Sequence, residues 1–157
     1  MTGYEGLECR PVEDGDEPFL RRLFLETKED LAASLSGNPL AEGILDMQFR
    51  AKQSFYQSAF PGADCRLLLL AGVPIGRLTT FNDGKSLHVV DIALLSAYRG
   101  RGIGSASLEK VWAEATAAGL PTILCVELEN PARKLYERLG FREIGRTETD
   151  VSMRREP

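Results

Sequence analysis

Arg99-Gly100-Arg101-Gly102-Ile103-Gly104 sets three glycines and two arginines between an apolar run and a helical pattern. Glycine raises the backbone entropy cost of ordering a chain, so the cluster implies a need for bare backbone there. The segment closes a strand and opens a helix. Unpaired amides and the helix dipole at such a place form an anion site, and glycines let a phosphate approach the amides closely. Arg99 and Arg101 would add charge-assisted contacts to phosphate oxygens. The plainer reading is a tight strand-to-helix turn with solvated arginines.

Two familiar phosphate motifs fail. A Walker loop ends in Gly-Lys-Ser/Thr, whereas the chain has Gly104-Ser105-Ala106. The dinucleotide pattern GxGxxG started at Gly100 needs a glycine at 105 and meets Ser105, late in the chain rather than early.

The elements that must position this loop can be read from periodicity. Leu7 to Val12 reads as a strand. Asp16 is placed to cap a first helical region carrying Phe19, Leu20, Leu23 and Phe24, and ending near Gly37. Asn38-Pro39 starts a second amphipathic helix running toward residue 58. Cys65 to Leu70 and Val73 to Phe81 form a strand pair around Gly72, and Ser86 to Leu95 comes next as an apolar strand. Beyond the loop, Leu108, Val111, Trp112 and Ala115 recur at i, i+3, i+4 and i+7 as a helix face. Thr122 to Leu128 reads as a buried strand. Asn130-Pro131 opens a short helix with Ala132, Leu135, Tyr136 and Leu139 on one face, and Phe141 to Thr147 with Asp150 to Met153 closes the sheet as a hairpin. A strand–helix–strand unit over 86–128 predicts local parallel pairing in an otherwise antiparallel sheet.

The 157 residues carry a net charge of −4, which gives no global basic field for nucleic acid or an anionic membrane. No linker or repeat divides the chain, so residues 1–157 are expected to be one domain. The run LLLLAGVPI is too short to span a bilayer, and MTGYEGLECR lacks the pattern of a signal peptide. Three scattered cysteines (Cys9, Cys65, Cys125) and one histidine offer no metal-site spacing; they read as reduced thiols in a cytoplasmic protein.

The loop fits R/Q-x-x-G-x-G/A and so resembles the acyl-coenzyme A pyrophosphate loop of the GNAT N-acetyltransferase superfamily. Asp91-Ile92-Ala93-Leu94-Leu95 looks like that family's central strand. Asn130-Pro131-Ala132-Arg133-Lys134-Leu135-Tyr136-Glu137-Arg138-Leu139-Gly140-Phe141 is similar to its second signature, N-x-x-A-x-x-L-Y-E-x-x-G-F. One departure is visible: aligned on Ala132, the family's asparagine falls at Glu129, so Asn130 comes one residue late. The element order agrees over nearly the whole chain. The fold implied is a GNAT-type mixed, mostly antiparallel sheet with a central parallel strand pair, flanked by about four helices.

The resemblance implies acetyl transfer from acetyl-CoA to a primary amine in a ternary complex, without metal, nucleic acid or membrane, and it admits a homodimer. It assigns the pyrophosphate to Arg99 through Gly104 and the pantetheine arm to the backbone of Ile92, Ala93 and Leu94. The Leu94 amide is expected at the thioester oxygen. Asn130 is carried over as a donor contact, against a simple capping role. The resemblance makes Tyr136 the expected proton donor to the leaving sulfur, a phenol of pKa ~10 facing a thiol of ~8.5. Its position on an apolar face reads by itself as core.

The base is not fixed by the family pattern. Asp91, Glu127 and Glu129 are the carboxylates on or near the two strands. Cys125 reads as a small buried hydrophobe, and His88, six residues before Leu94 and so ~20 Å away along a strand, reads as structural. Glu26, Glu29, Asp30, Glu42 and Asp46 give the acceptor segment an acidic bias that suits a cationic amine or, more simply, solvated helix faces. The competing function is a non-catalytic acyl-CoA sensor on the same fold, which Tyr136 opposes. A nucleotide-binding regulatory domain is the third reading.

Overall fold

The computed structural model describes residues 4–157; the side chains of residues 30–32, Asp30 among them, lie outside the described part. Seven strands form one sheet in the order β1-β2-β3-β4-β5-β7-β6. They are β1 (Leu7–Pro11), β2 (Asp64–Leu70), β3 (Val73–Asn82), β4 (Leu87–Leu94), β5 (Thr122–Glu127), β6 (Arg142–Arg146) and β7 (Asp150–Arg155). Only β4 and β5 run parallel. The helices are α1 (Glu17–Thr27), the short α2 (Glu29–Ser34), α3 (Ala41–Ala59), α4 (Ile103–Ala117) and α5 (Ala132–Arg138).

The two-residue hairpin between β2 and β3 puts Ala71 at φ 51° and Gly72 at φ 81°. Both central residues of such a turn must adopt positive φ to match the strand twist, which glycine does freely and alanine only under strain. The first helical region divides at Lys28, whose amide bonds the Leu25 carbonyl at 3.1 Å and ends α1. Asp16 does not cap that helix. Its carboxylate turns back to the Arg10 guanidinium, with two contacts of 2.8 Å, and to the Glu13 amide at 2.7 Å. A bidentate charged partner outcompetes a lone amide.

Each face of the sheet buries its own cluster. Leu68, Leu78, Val89, Leu124 and Met153 pack under α4, through Ile103, Leu108, Val111 and Trp112. On the opposite face Leu67 packs with Leu20 and Phe24 of α1 and Phe49 of α3. Those two helices cover that face from β2 to β4 and leave β5 bare. Strand β5 is therefore buried on one side only: Thr122 and Leu124 are buried, whereas Cys125 and Glu127 are exposed. The expectation of a buried strand and a buried Cys125 is corrected accordingly.

Candidate active site

Strands β4 and β5 pair over only three positions, Leu87↔Thr122, His88↔Ile123 and Val89↔Leu124. Beyond Val89 a bulge interrupts the β3–β4 ladder, where Thr80 faces Val89 but Thr79 faces Asp91 and Val90 is the extra residue. A bulge bends its strand and increases local twist, and here β4 swings away from β5. The Leu95 amide bonds the Ile75 carbonyl at 2.8 Å. By strand alternation, Asp91 and Ala93 also face β3, so the polar backbone groups of Ile92 and Leu94 point into the gap. Arg99 closes the lower end, its Nε donating to the Leu94 carbonyl at 3.0 Å.

The glycine turn comes immediately after. Gly100 (φ 73°) and Gly102 (φ 82°) occupy the left-handed region, which explains both. Gly104 has ordinary helical backbone, and a Cβ added there would meet no protein atom within 4 Å. Its bareness serves no internal contact; it clears the first turn of α4. The first α4 hydrogen bond runs from Ala106 to the Gly102 carbonyl at 3.0 Å, leaving the amides of Ile103, Gly104 and Ser105 as open donors. Arg101 stacks on Tyr98 with 5.4 Å between guanidinium carbon and ring centre.

Arg99, Gly100, Gly102, Gly104 and Ser105, with Ile92–Leu94 and Tyr136, line a cleft of about 800 Å³ whose wall also includes Glu26 and Thr27; Arg101 is not part of the lining. Tyr136 is buried, and burial raises its phenol above the ordinary range. No hydrogen-bond partner for its hydroxyl occurs among the described residues. Its ring is set by the turn that ends α5: Gly140 at φ 97° reverses the chain, the Phe141 amide bonds the Tyr136 carbonyl at 3.0 Å, and the two rings meet edge-on at 5.9 Å. The Gly-Phe pair thus fixes the orientation of Tyr136.

The carboxylates separate. Asp91 lies on the face covered by α3 and is bound through Oδ2 by Arg77, Nη2 at 2.5 Å and Nε at 3.0 Å, which leaves Oδ1 open. Glu127 is exposed at the end of β5 opposite Asp150 and, with Glu129, Glu148 and Asp150, lines a separate shallow groove. The Asn130 carboxamide accepts from the Ala132 amide at 2.9 Å, a local cap at the start of α5, and Asn130 does not line the cleft. His88 lies against the Phe60 and Phe81 rings with its Nε2 2.8 Å from Asp83.

Three charged side chains beside the site have contacts that the sequence did not show. Glu26 accepts from the Ser96 amide at 2.7 Å and hydroxyl at 2.9 Å, tying α1 to the turn before the glycines. That backbone bond, foremost, holds the Glu26 carboxyl below its usual range. Arg77 is the second, a charged residue inside an apolar strand, which was a readable signal. Lys52 is the third, hidden by its helical spacing among solvated residues. Of the acidic residues in the acceptor segment, Asp46 is held by Arg21 and Arg50, and Glu26 by Ser96 and Arg22. Glu29 and Glu42 are exposed, and Glu29 lines the cleft.

The sequence model of the acetyltransferase (GNAT) family matches residues 45–141, from within α3 to Phe141. The chain belongs to that family. Three solved structures carry the same fold over nearly their whole length. The PaiA N-acetyltransferase of Thermoplasma acidophilum, in complex with coenzyme A, is 15% identical with a TM-score of 0.72, covering 96% of this chain and 99% of its own. A GNAT family acetyltransferase from Elizabethkingia anophelis with acetyl-CoA bound is 16% identical (TM-score 0.65; 98% and 100% covered). The acetyltransferase of Salmonella typhimurium that modifies the N-terminal serine of ribosomal protein L7/L12 is 20% identical (TM-score 0.67; 98% and 96% covered). This GNAT acetyltransferase therefore shares the fold of those structures, and in it the parallel β4–β5 pair lies at the middle of the sheet.

Proposed function

We propose that the cleft takes acetyl-CoA and that the protein moves its acetyl group to a primary amine by direct transfer in a ternary complex. The observation that carries this reading is the open amides of Ile92 and Leu94, ending on the cleared N-terminus of α4. The residues fit the donor: an extended arm finds unpaired strand amides, and a pyrophosphate finds three helix amides with Arg101 and Arg99 beside them. The structures from Thermoplasma acidophilum and Elizabethkingia anophelis, with coenzyme A and acetyl-CoA, support the choice.

Acetyl-CoA supplies an activated thioester. The Leu94 amide is a preorganised donor for the carbonyl oxygen that gains charge as the amine attacks. Tyr136 gives its phenolic proton to the departing sulfur, and its raised pKa keeps that proton in place until then. The amine's proton passes to a carboxylate directly or through water. Asp91 and Glu127 both point to the face of the sheet away from α4, Asp91 with Oδ1 open and Glu127 solvated. The chain works as one domain, and its three free cysteines suit a reducing cytoplasm.

Calorimetric titration with acetyl-CoA, beside Gly104→Val and an NAD control, tests the reading. A Cβ at Gly104 meets nothing outside its own helix, so Gly104→Val should fold while it fills the cleared space, and a melting curve checks that it does. Binding by the wild type, lost in the variant and absent with NAD, is the expected result. A folded wild type that ignores acetyl-CoA overturns the reading.

A further inference from the structure

On the face of the sheet opposite α4, Lys52 stands among one carboxylate, Asp91, and two further cations, Arg77 and Lys28. The Nζ of Lys52 on α3 and that of Lys28, at the end of α1, each lie 6.0 Å from the centre of the Phe24 ring. Lys52 also lies over Tyr56 at 5.7 Å. Arg77 is buried beneath them and bound to Asp91. The charges that Lys52 senses are Asp91, Arg77 and Lys28, so the local balance is two positive to the excess. Neither lysine has a carboxylate within ion-pair distance among the described residues. Glu29, which follows Lys28 in sequence, is exposed at the cleft, and Glu26 and Asp46 already face Ser96, Arg22, Arg21 and Arg50. Burial, reinforced by Arg77 and Lys28 and opposed by Asp91, pushes Lys52 below the usual lysine range. A half-buried ammonium among other cations is a costly arrangement without an anion to complete it.

The cluster adjoins the transfer site. Ala93 lies on the same face as Asp91, pairs across the ladder with Arg77, and lines the cleft; so do Thr27 and Glu29, the neighbours of Lys28. Asp91 precedes Leu94 by three residues, about 10 Å at ~3.3 Å per residue. We propose that the acceptor amine carries its own anionic group, carboxylate or phosphate, several bonds from the nitrogen, and that Lys52, Lys28 and Arg77 form its subsite. This rests on the transfer reading above and adds the substrate class. Of the segment's carboxylates, Glu26 is already engaged by Ser96 and Arg22 and Asp46 by Arg21 and Arg50, and the half-buried ring of Tyr56 receives the chain between amine and anion.

The test is a matched set of acceptors on one six-carbon chain: hexylamine, diaminohexane, aminohexanoate and aminohexyl phosphate, each with acetyl-CoA and the full-length protein. The anionic members should exceed hexylamine at least ~10-fold in kcat/KM, mainly through KM, as expected for a charge-assisted contact; diaminohexane should be poorest. In Lys52→Met the preference should fall to ~3-fold or less, and Lys52→Arg should retain it, with the heat of acetyl-CoA binding as the control for folding. The carboxylate and phosphate arms decide which anion fits. Equal use of hexylamine or diaminohexane, a preference unmoved in Lys52→Met, or binding of acetyl-CoA with no turnover of either anionic member would each overturn the proposal. Absence of acetyl-CoA binding would bring down the transfer reading and this one with it.

Discussion

Glu26 and Ser96, seventy positions apart, are joined by two hydrogen bonds: the Glu26 carboxylate accepts from the Ser96 amide at 2.7 Å and from its hydroxyl at 2.9 Å. The Arg99 Nη2 also reaches the Glu26 main-chain carbonyl at 3.5 Å. Helix α1 thus clamps the turn that delivers the glycines. Glu26→Ala should weaken acetyl-CoA binding several-fold, about 1–2 kcal/mol for an orphaned amide and a loosened turn, while the thermal midpoint moves little. Calorimetry beside a melting curve separates the two.

Tyr136→Phe should lower kcat by roughly 10² to 10⁴, the usual range for a positioned acid. Because no described residue bonds the hydroxyl, stability and acetyl-CoA affinity should stay near wild type. Single-turnover rates in the presence of an accepted amine are the measurement. A variant with undiminished rate would return Tyr136 to the core.

Gly76 and Gly104 should respond in opposite ways. A Cβ on Gly76 would lie 2.4 Å from the Ala93 carbonyl oxygen, a backbone atom that cannot step aside. Gly76→Ala should therefore cost ~1–3 kcal/mol by overpacking and displace the end of β4, whereas Gly104→Ala should fold normally. Denaturant unfolding of both variants decides it.

Asp91 is both a candidate base and the partner of a buried cation. Asp91→Asn should destabilise by up to ~3–5 kcal/mol because Arg77 is left unpaired, and the double change Arg77→Met, Asp91→Leu should recover much of that. Glu127→Gln, at an exposed site, should stay within ~0.5 kcal/mol of wild type. Its pH–rate profile is thus the clean reading of whether Glu127 accepts the proton: loss of the acidic limb assigns Glu127, and retention excludes it in favour of Asp91 or Glu129.

Acid should act through the depressed carboxylates. Asp16, held by Arg10, and Asp83, held by His88 and two turn amides, are both lowered to about 2. A folded pKa below the unfolded value of ~3.9 contributes stability that is complete above that value and disappears as pH falls toward the folded one. Asp16→Asn and Asp83→Asn should each be less stable than wild type at neutral pH and decline less steeply from pH ~4 to ~2. Urea unfolding across that window measures it.

How much of this was legible varied with the range of the interaction. The face Leu108, Val111, Trp112 and Ala115 was readable because helix periodicity is local, and all four are buried. The two signatures placed the glycine turn and Tyr136 on one cleft. Asp16 misled because its rival partner, Arg10, lies on the preceding strand. The exposure of Cys125 depends on where α1 and α3 stop covering the sheet, which no window on β5 contains. Gly76 looked ordinary because the atom it must avoid belongs to Ala93, one strand away. Lys28, Lys52 and Arg77 converge from three elements, so their shared excess charge has no sequence pattern at all.

Three rungs of pairing are all that join β1–β4 to β5–β7 through the sheet. The molecule is thus built as two staves held by a short seam, and a bound extended arm would serve as the missing rung. Donor binding then becomes a mechanical event. Deuterium should enter freely at the amides of Ile92 and Leu94 until the arm arrives, while the core under α4, which spans both halves, keeps its protection throughout.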